Sequence, residues 1–158
     1  MKNTAHNIYI HVPFCMSKCK YCAFFSHACA NIDWDTYTDK IRKEICCWGQ
    51  KLGKIDINSV FFGGGTPSLM PVHTFDTIIK TIKDNFNLIK NAEITLESNP
   101  KTLNKDKLQD FYKSGTNRLS VGVQSLDDEK LKFWRLDTLP FIFFNLLTNF
   151  ESSIFSSS

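Results

Sequence analysis

Three cysteines near the amino terminus are the residues with the clearest chemical potential in this sequence. Cys15, Cys19 and Cys22 lie in the stretch CMSKCKYC, with three and then two residues between them. A [4Fe–4S] cluster has four irons, and each iron is usually held by one thiolate. Three thiolates from one loop would therefore leave one iron open to chelate the amino and carboxylate groups of a small molecule.

Two other interpretations of the cysteine loop stay open at this point. One is a structural zinc site with Cys29 or His27 as the fourth ligand, and the other is a loop that binds no metal. Zinc sites usually combine two separated halves of the CxxC type, and this sequence has one such half, so an iron–sulfur cluster is favoured. Cys29, Cys46 and Cys47 show no ligand spacing and are interpreted as helix or core cysteines.

Further polar features could contribute to the same site. The stretch FFGGGTPS (61–68) places three glycines after a strand-like run, which could expose backbone N–H groups to a carboxylate or phosphate, although a tight turn also explains it. Glu97 could accept a hydrogen bond from an ammonium or ribose hydroxyl, or could be a solvated carboxylate. Tyr9 and His11 flank the cysteine loop and are interpreted as packing or loop support, and Arg118 is expected to pair with a nearby carboxylate.

The elements that must position these residues alternate between strand and helix. Strands are predicted at 7–13, 59–64, 92–98 and 118–125. Helical patterns follow the first three, the first of them with Asp33 as N-cap, and the charged start of another helix follows the fourth. Short strand–helix alternation indicates a parallel sheet of βα units and an α/β fold.

The third and fourth strands predict that one face of the sheet is polar. Thr95 and Glu97 alternate with Ile94 and Leu96, and Gln124 lies on the corresponding face of the last strand. A sheet buried on both faces would be apolar on both, so the pattern favours a barrel-like sheet with a site at the carboxyl ends of its strands. The cysteine loop, the glycines, Glu97 and Gln124 would then meet at one rim.

Length and composition limit the classes of protein that remain. The chain has 158 residues, of which 42% are hydrophobic and 22% charged, which is ordinary for a globular domain but too short for a complete eight-fold barrel. A net charge of +3, with scattered lysines, argues against nucleic acid. The longest apolar tract, 139–150, is too short to span a membrane. We therefore expect a soluble, cytoplasmic protein with reduced cysteines.

Taken together, the motifs resemble those of the radical S-adenosylmethionine (SAM) enzymes. The stretches IYIHVPFCMSKCKYCAFFSH, FFGGGTPSL, EITLESNP and NRLSVGVQSLDDEKLK cover most of residues 7–133, and they resemble the oxygen-independent coproporphyrinogen III oxidase-like family. The true oxidases carry a further cysteine where this sequence has Phe24, so the resemblance is to the branch of HemW-type haem chaperones. Lys20 and Ala23 depart from the Pro and Asp usual in that branch, but spare the cysteines.

The resemblance implies a role for each matching position. Cys15, Cys19 and Cys22 would hold a [4Fe–4S] cluster, which in the oxidases supplies the electron that splits SAM into methionine and a 5′-deoxyadenosyl radical. For the chaperone branch, the resemblance implies haem and haem-accepting proteins as partners of a complete member. The positions that match those near SAM in the oxidases are Tyr9, Tyr21, Gly64, Gly65, Thr66, Glu97, Gln124 and Arg135.

The resemblance ends near residue 133, and the following stretch is rich in Phe and Ser. We expect residues 1–135 to form a partial parallel (β/α) barrel of the radical SAM type, with about four of six βα units, and residues 136–158 to be an irregular or disordered tail. An interrupted gene would explain this end, and a fragment with an unpaired sheet edge is expected to be inactive and poorly soluble. A coproporphyrinogen III oxidase of porphyrin biosynthesis and a small zinc-binding interaction module are the alternatives.

Overall fold

The computed structural model describes residues 5–18, 22–122 and 127. The strands of the described residues are β1 (His6–Val12), β2 (Phe14–Cys15), β3 (His27–Ala28), β4 (Asp56–Gly64), β5 (Asn87–Ser98) and β6 (Arg118–Val121). The helices are α1 (Trp34–Leu52), α2 (Val72–Asn85) and α3 (Lys105–Lys113), with short 3₁₀ turns at Pro67–Leu69 and Pro100–Thr102.

Four of the strands form one parallel sheet in the order β1-β4-β5-β6, and each is joined to the next through a helix. The predicted strand–helix alternation is therefore confirmed, although β4 and β5 begin earlier than the pattern indicated. The short parallel pair β2–β3 was not predicted. It brings the two ends of the cysteine loop together, because Cys15 lies opposite Ala28.

The helices begin and end where the local sequence supplies the required groups. The side chain of Asp33 accepts a hydrogen bond from the Thr36 N–H at 2.9 Å, which confirms it as the N-cap of α1. Gly53, with φ +70°, follows the last turn of α1. Asn104 caps α3 in the same way, by accepting from the Lys107 N–H. Among the described residues no helix has both the length and the apolar character needed to cross a membrane.

The hydrophobic core lies between the helices and one face of the large sheet. Val12, Phe62 and Leu96 point to this face from three neighbouring strands and are fully buried. Phe75 of α2 packs between Phe62 and Phe111 of α3, with ring centroids 4.6 Å and 5.3 Å apart. Burial of each such ring contributes roughly 1.5–3 kcal/mol, so the helices are fixed on this side of the sheet.

The opposite face of the sheet is polar and aromatic, as the alternation predicted. The register aligns Tyr9, Phe61, Thr95 and Arg118 across the four strands, and the ring of Tyr9 stacks on Phe61. Arg118 pairs with Glu93 at 3.3 Å, so the expected ion pair is confirmed. The described helices pack on the other face, so this face corresponds to the inner face of an open barrel.

Candidate functional site

The carboxyl end of β1 runs directly into the cysteine loop and is held along one side by the glycine turn after β4. Gly65 N–H donates to the Val12 carbonyl and Thr66 N–H donates to the Phe14 carbonyl, both at 2.8 Å. The turn therefore continues the β1–β4 hydrogen bonds past the end of the sheet. This contact places the first cysteine, Cys15, next to the glycines.

The other side of the same segment is held by the returning chain and by α1. His27 N–H donates to the Pro13 carbonyl at 2.7 Å, and Cys29 N–H donates to the Cys15 carbonyl at 3.0 Å. The hydroxyl of Tyr37, in α1, donates a hydrogen bond to the carbonyl of His11, the residue before Val12, at 2.8 Å. Alternate carbonyls of this segment thus bond to opposite sides, which fixes the backbone of the first cysteine.

The sulfur of Cys15 lies against the glycine turn. Its Sγ atom accepts a hydrogen bond from the Thr66 hydroxyl at 3.6 Å. A Cβ atom at position 65 would lie 2.9 Å from this sulfur and 2.6 Å from the Phe14 carbonyl oxygen. Glycine is therefore required at residue 65 for the sulfur to approach the turn.

Glu97 reaches the same turn from the end of β5. Its Oε2 atom accepts a hydrogen bond from the Gly64 N–H at 3.1 Å, and a Cβ at Gly63 would lie 3.1 Å from the same oxygen and 3.0 Å from the Tyr9 ring. Gly64 has φ +117° and packs against His11, so an L side chain would be strained there. Within the described residues, Oε1 of Glu97 accepts no hydrogen bond, so it is the oxygen available to a ligand.

Of the two interpretations of the glycine turn, the structure supports the tight turn and not the one with free N–H groups. The N–H groups of Gly64, Gly65 and Thr66 donate to Glu97, Val12 and Phe14 respectively, as described above. A turn whose donors are already bonded cannot act as an anion-binding nest. The polar group beside the turn is instead the carboxylate of Glu97, from the end of β5, and a carboxylate can bind an ammonium or a hydroxyl group.

Tyr9 and His11 connect this turn to the far side of the cysteine loop. The Tyr9 hydroxyl is 3.1 Å from His11 Nδ1, and His11 Nε2 is 3.0 Å from the Phe25 carbonyl oxygen. Because a carbonyl only accepts, we assign the imidazole proton to Nε2, so that Nδ1 accepts from the tyrosine hydroxyl. Partial burial, followed by the negative charge of Glu97, raises the pKa of Tyr9.

A second group of hydrogen-bonded polar residues, which the sequence did not indicate, connects two segments next to the site. Ser68 is fully buried, and its hydroxyl accepts from the Asn99 N–H at 3.2 Å and hydrogen-bonds to Thr102. The ammonium of Lys107 donates to the Ser68 carbonyl at 2.6 Å, and its burial lowers the pKa of Lys107. These contacts tie the segment after the glycine turn to the segment after Glu97. Serine and asparagine beside prolines are common in turns, so their types alone carry no such signal.

The structure brings together six of the residues predicted for the site. They are Tyr9, Cys15, Gly64, Gly65, Thr66 and Glu97. Cys22 lies half-buried in the same loop. The remaining predicted residues, Cys19, Tyr21, Gln124 and Arg135, and the whole of the tail expected at 136–158, lie outside the described residues. Cys29 differs from the expectation of a helix or core position, because it follows β3 beside the cysteine loop.

The donor chemistry fits a cluster bound by sulfur. The sulfur of Cys15 lies next to the space that a Cβ atom at residue 65 would occupy. A soft thiolate donor suits iron–sulfur clusters and zinc. In the described ranges, which omit Cys19, no group of three or more His, Cys, Asp or Glu side chains could hold a metal ion. The candidate ligand set therefore stays the one that the sequence predicts, namely Cys15, Cys19 and Cys22.

The fold is a partial (β/α) barrel with a parallel sheet. The cysteine loop after its first strand, the glycine turn and the carboxylate of Glu97 lie together at one edge of that sheet. The profile of the Radical SAM superfamily matches residues 9–142. The chain belongs to this superfamily.

Three relatives illustrate the kinds of protein to which this chain is similar. The chain is 42% identical over 127 residues to the mitochondrial radical S-adenosyl methionine domain-containing protein 1 of Danio rerio, which covers 80% of this chain and 28% of that protein. It is 37% identical to the heme chaperone HemW of Escherichia coli, covering 80% of this chain and 34% of HemW. It is 35% identical to the oxygen-independent coproporphyrinogen III oxidase of Bradyrhizobium diazoefficiens, covering 77% of this chain and 27% of the oxidase.

The fold agrees with these relationships. The solved structure of coproporphyrinogen III oxidase (HemN) from Escherichia coli, a radical SAM enzyme, matches with a TM-score of 0.86 at 26% identity. The match covers 92% of this chain and 34% of that one. The predicted partial barrel is thereby confirmed, and the chain spans about a third of the length of the relatives it matches.

Proposed function

We propose that this chain binds a [4Fe–4S] cluster through Cys15, Cys19 and Cys22, with SAM beside it, and is the amino-terminal part of a haem-handling radical SAM protein. One observation carries the proposal. The sulfur of Cys15 lies against the same glycine turn that Glu97 contacts. The proposed cluster ligand and the carboxylate proposed to bind SAM therefore contact the same turn.

The residues of the chain would contribute positioning and electrostatics. A bound cluster would supply one electron for cleavage of the carbon–sulfur bond of SAM, and the protein would orient the two groups. Glu97 would accept a hydrogen bond from the ammonium or a ribose hydroxyl of SAM through Oε1. Gly64 and Gly65 leave room for that approach because they have no side chains, and Tyr9 would close the inner face beside Glu97.

The haem chaperone branch is favoured over the oxidase by one residue. Phe24 stands where the true oxidases carry an additional cysteine, and its side chain is exposed. We therefore propose that the complete protein binds haem and passes it to acceptor proteins in the cytoplasm. The alternative is supported by the match to the solved oxidase structure, and it predicts decarboxylation of coproporphyrinogen III.

Metal analysis tests the cluster. The chain would be reconstituted anaerobically with iron and sulfide, and iron and sulfide would be measured per chain, with about four of each expected. Cys15→Ala should abolish uptake. The matched control is Cys47→Ala, because Cys47 is exposed on α1, outside the loop, and this variant should bind as the wild type does. A colourless wild type that retains one zinc per chain would overturn the proposal and support the zinc-module alternative.

Ligand assays distinguish the two branches. Haem binding followed by its absorption spectrum, without loss of carboxyl groups from coproporphyrinogen III, supports the chaperone. Decarboxylation with SAM cleavage supports the oxidase. The expectation that these 158 residues alone are inactive and poorly soluble stays a prediction, which sedimentation of the expressed chain and the same two assays would check.

A further inference from the structure

Among the residues that the structure describes, the hydroxyl of Thr66 has one acceptor, and that acceptor is a sulfur. Thr66 begins the 3₁₀ turn Pro67–Leu69, but its side chain makes no capping hydrogen bond to that turn. It donates instead to Cys15 Sγ, with an oxygen-to-sulfur distance of 3.6 Å. Threonine hydroxyls at such positions normally cap the following turn, so this hydroxyl has been directed elsewhere.

The surrounding backbone keeps the hydroxyl in this place. Thr66 N–H donates to the Phe14 carbonyl, one residue before the sulfur-bearing residue, at 2.8 Å. Gly65 permits the close approach, since any Cβ there would collide with the same carbonyl and with Cys15 Sγ. Donor and acceptor are therefore carried by two segments that are hydrogen-bonded to each other, and Thr66 is half-buried between them.

We propose that Thr66 sets the reduction potential of the [4Fe–4S] cluster by donating a hydrogen bond to its Cys15 ligand. This inference rests on the proposed function. Hydrogen bonds to ligand sulfurs tune cluster potentials, because they stabilise the state in which the sulfur carries more negative charge. That state is the one-electron-reduced cluster, so the Thr66 hydroxyl raises the potential and makes the electron easier to load from a one-electron reductant.

The test compares three side chains at position 66 without using SAM or turnover. The reconstituted wild type, Thr66→Val and Thr66→Ser would be titrated with dithionite, and the reduced cluster would be followed by electron paramagnetic resonance. Valine keeps the shape and removes the hydroxyl, whereas serine keeps the hydroxyl. Thr66→Val should shift the reduction equilibrium about threefold to tenfold toward the oxidised state, which is about 30–60 mV for one electron. Thr66→Ser should have the same reduction potential as the wild type.

A matched control and a second pair of variants keep the test decisive. Thr77→Val removes a hydroxyl that bonds the His73 carbonyl within α2, and it should leave the potential unchanged. If Thr66→Val takes up no cluster, Thr66→Ser is compared with Thr66→Ala, which differs from it by the hydroxyl alone. Equal potentials in the pair that is compared would overturn the inference while leaving the proposed function intact. A wild type that binds no iron would overturn both.

Discussion

A methyl group added at residue 65 gives the most direct test of how the glycine turn is built against the cysteine loop. The new Cβ would lie 2.6 Å from the Phe14 carbonyl oxygen and 2.9 Å from Cys15 Sγ. The nearer of these atoms belongs to the backbone, which cannot swing aside as the end of a side chain can. Gly65→Ala should therefore push the turn and the loop apart.

The size of the effect follows from the contacts that must open. Optimal non-bonded contacts lie near 3.5 Å, so the two segments must separate by several tenths of an ångström. That movement weakens the hydrogen bonds from Gly65 N–H to the Val12 carbonyl and from Thr66 N–H to the Phe14 carbonyl. Overpacking costs about 1–3 kcal/mol and a lost hydrogen bond about 1 kcal/mol. We expect a loss of about 2–4 kcal/mol in the free energy of unfolding, and reduced iron uptake.

Two measurements and one matched variant separate a local effect from general destabilisation. Urea unfolding gives the stability, and iron per chain after anaerobic reconstitution reports the site. Gly53→Ala is the control, because Gly53 has φ +70° but no heavy atom would lie within 4 Å of the new Cβ. It should lose about 1–3 kcal/mol from backbone strain and keep its iron uptake per folded chain. A Gly65→Ala protein with wild-type stability and uptake would refute the close packing of turn and loop.

Three further substitutions test single contacts. Glu97→Gln removes the charge that, after partial burial, raises the pKa of Tyr9, so that pKa should fall part of the way back in an ultraviolet pH titration, with Tyr9→Phe identifying the signal. Tyr37→Phe removes the hydroxyl that donates to the His11 carbonyl and should lower the free energy of unfolding by about 1 kcal/mol in urea. Asp33→Asn keeps a capping oxygen that cannot ionise. Hydrogen bonds from the first turn of α1 lower the pKa of Asp33, so wild-type stability should fall as pH drops from about 4 through that lowered pKa, and the variant should lose less in thermal unfolding. An unchanged tyrosine titration, an unchanged urea midpoint or parallel pH curves would contradict the respective contacts.

The fold could be predicted from the sequence where a pattern of polar and apolar residues repeats along the chain. Alternation of Thr95 and Glu97 with Ile94 and Leu96 predicted the two faces of β5, and the structure has both faces as expected. Convergence at one rim also followed, because the carboxyl ends of parallel strands meet at one edge of a sheet. Cys15 and Glu97 could therefore be placed near the glycine turn before their contacts were known.

The remaining features depend on single contacts between segments far apart in the chain. The N–H groups of Gly64, Gly65 and Thr66 are used by Glu97, Val12 and Phe14. These contacts follow no repeating pattern, and the same sequence would suit an open anion-binding turn. The buried hydrogen bond between Ser68 and Asn99 joins residues whose types are ordinary in turns. Cys29 shows no ligand spacing in the sequence. It lies beside the loop because of the short β2–β3 pair, and strands of two residues each are too short to be predicted from a sequence pattern.

The way Cys15 is held has a consequence for how the loop would receive a metal cluster. Cys15 belongs to β2, so its backbone is bonded before any metal arrives, and the β2–β3 pair also fixes the returning end of the loop at His27. The loop of residues 16–26, which contains the other two cysteines, is thus closed at both ends by protein contacts. The entropy of bringing these two ends together is then already lost on folding, and binding of a cluster would not have to supply it. Binding energy that would otherwise be lost to ordering is conserved when a site is preorganised, so the fixed backbone of Cys15 would favour binding of the proposed cluster.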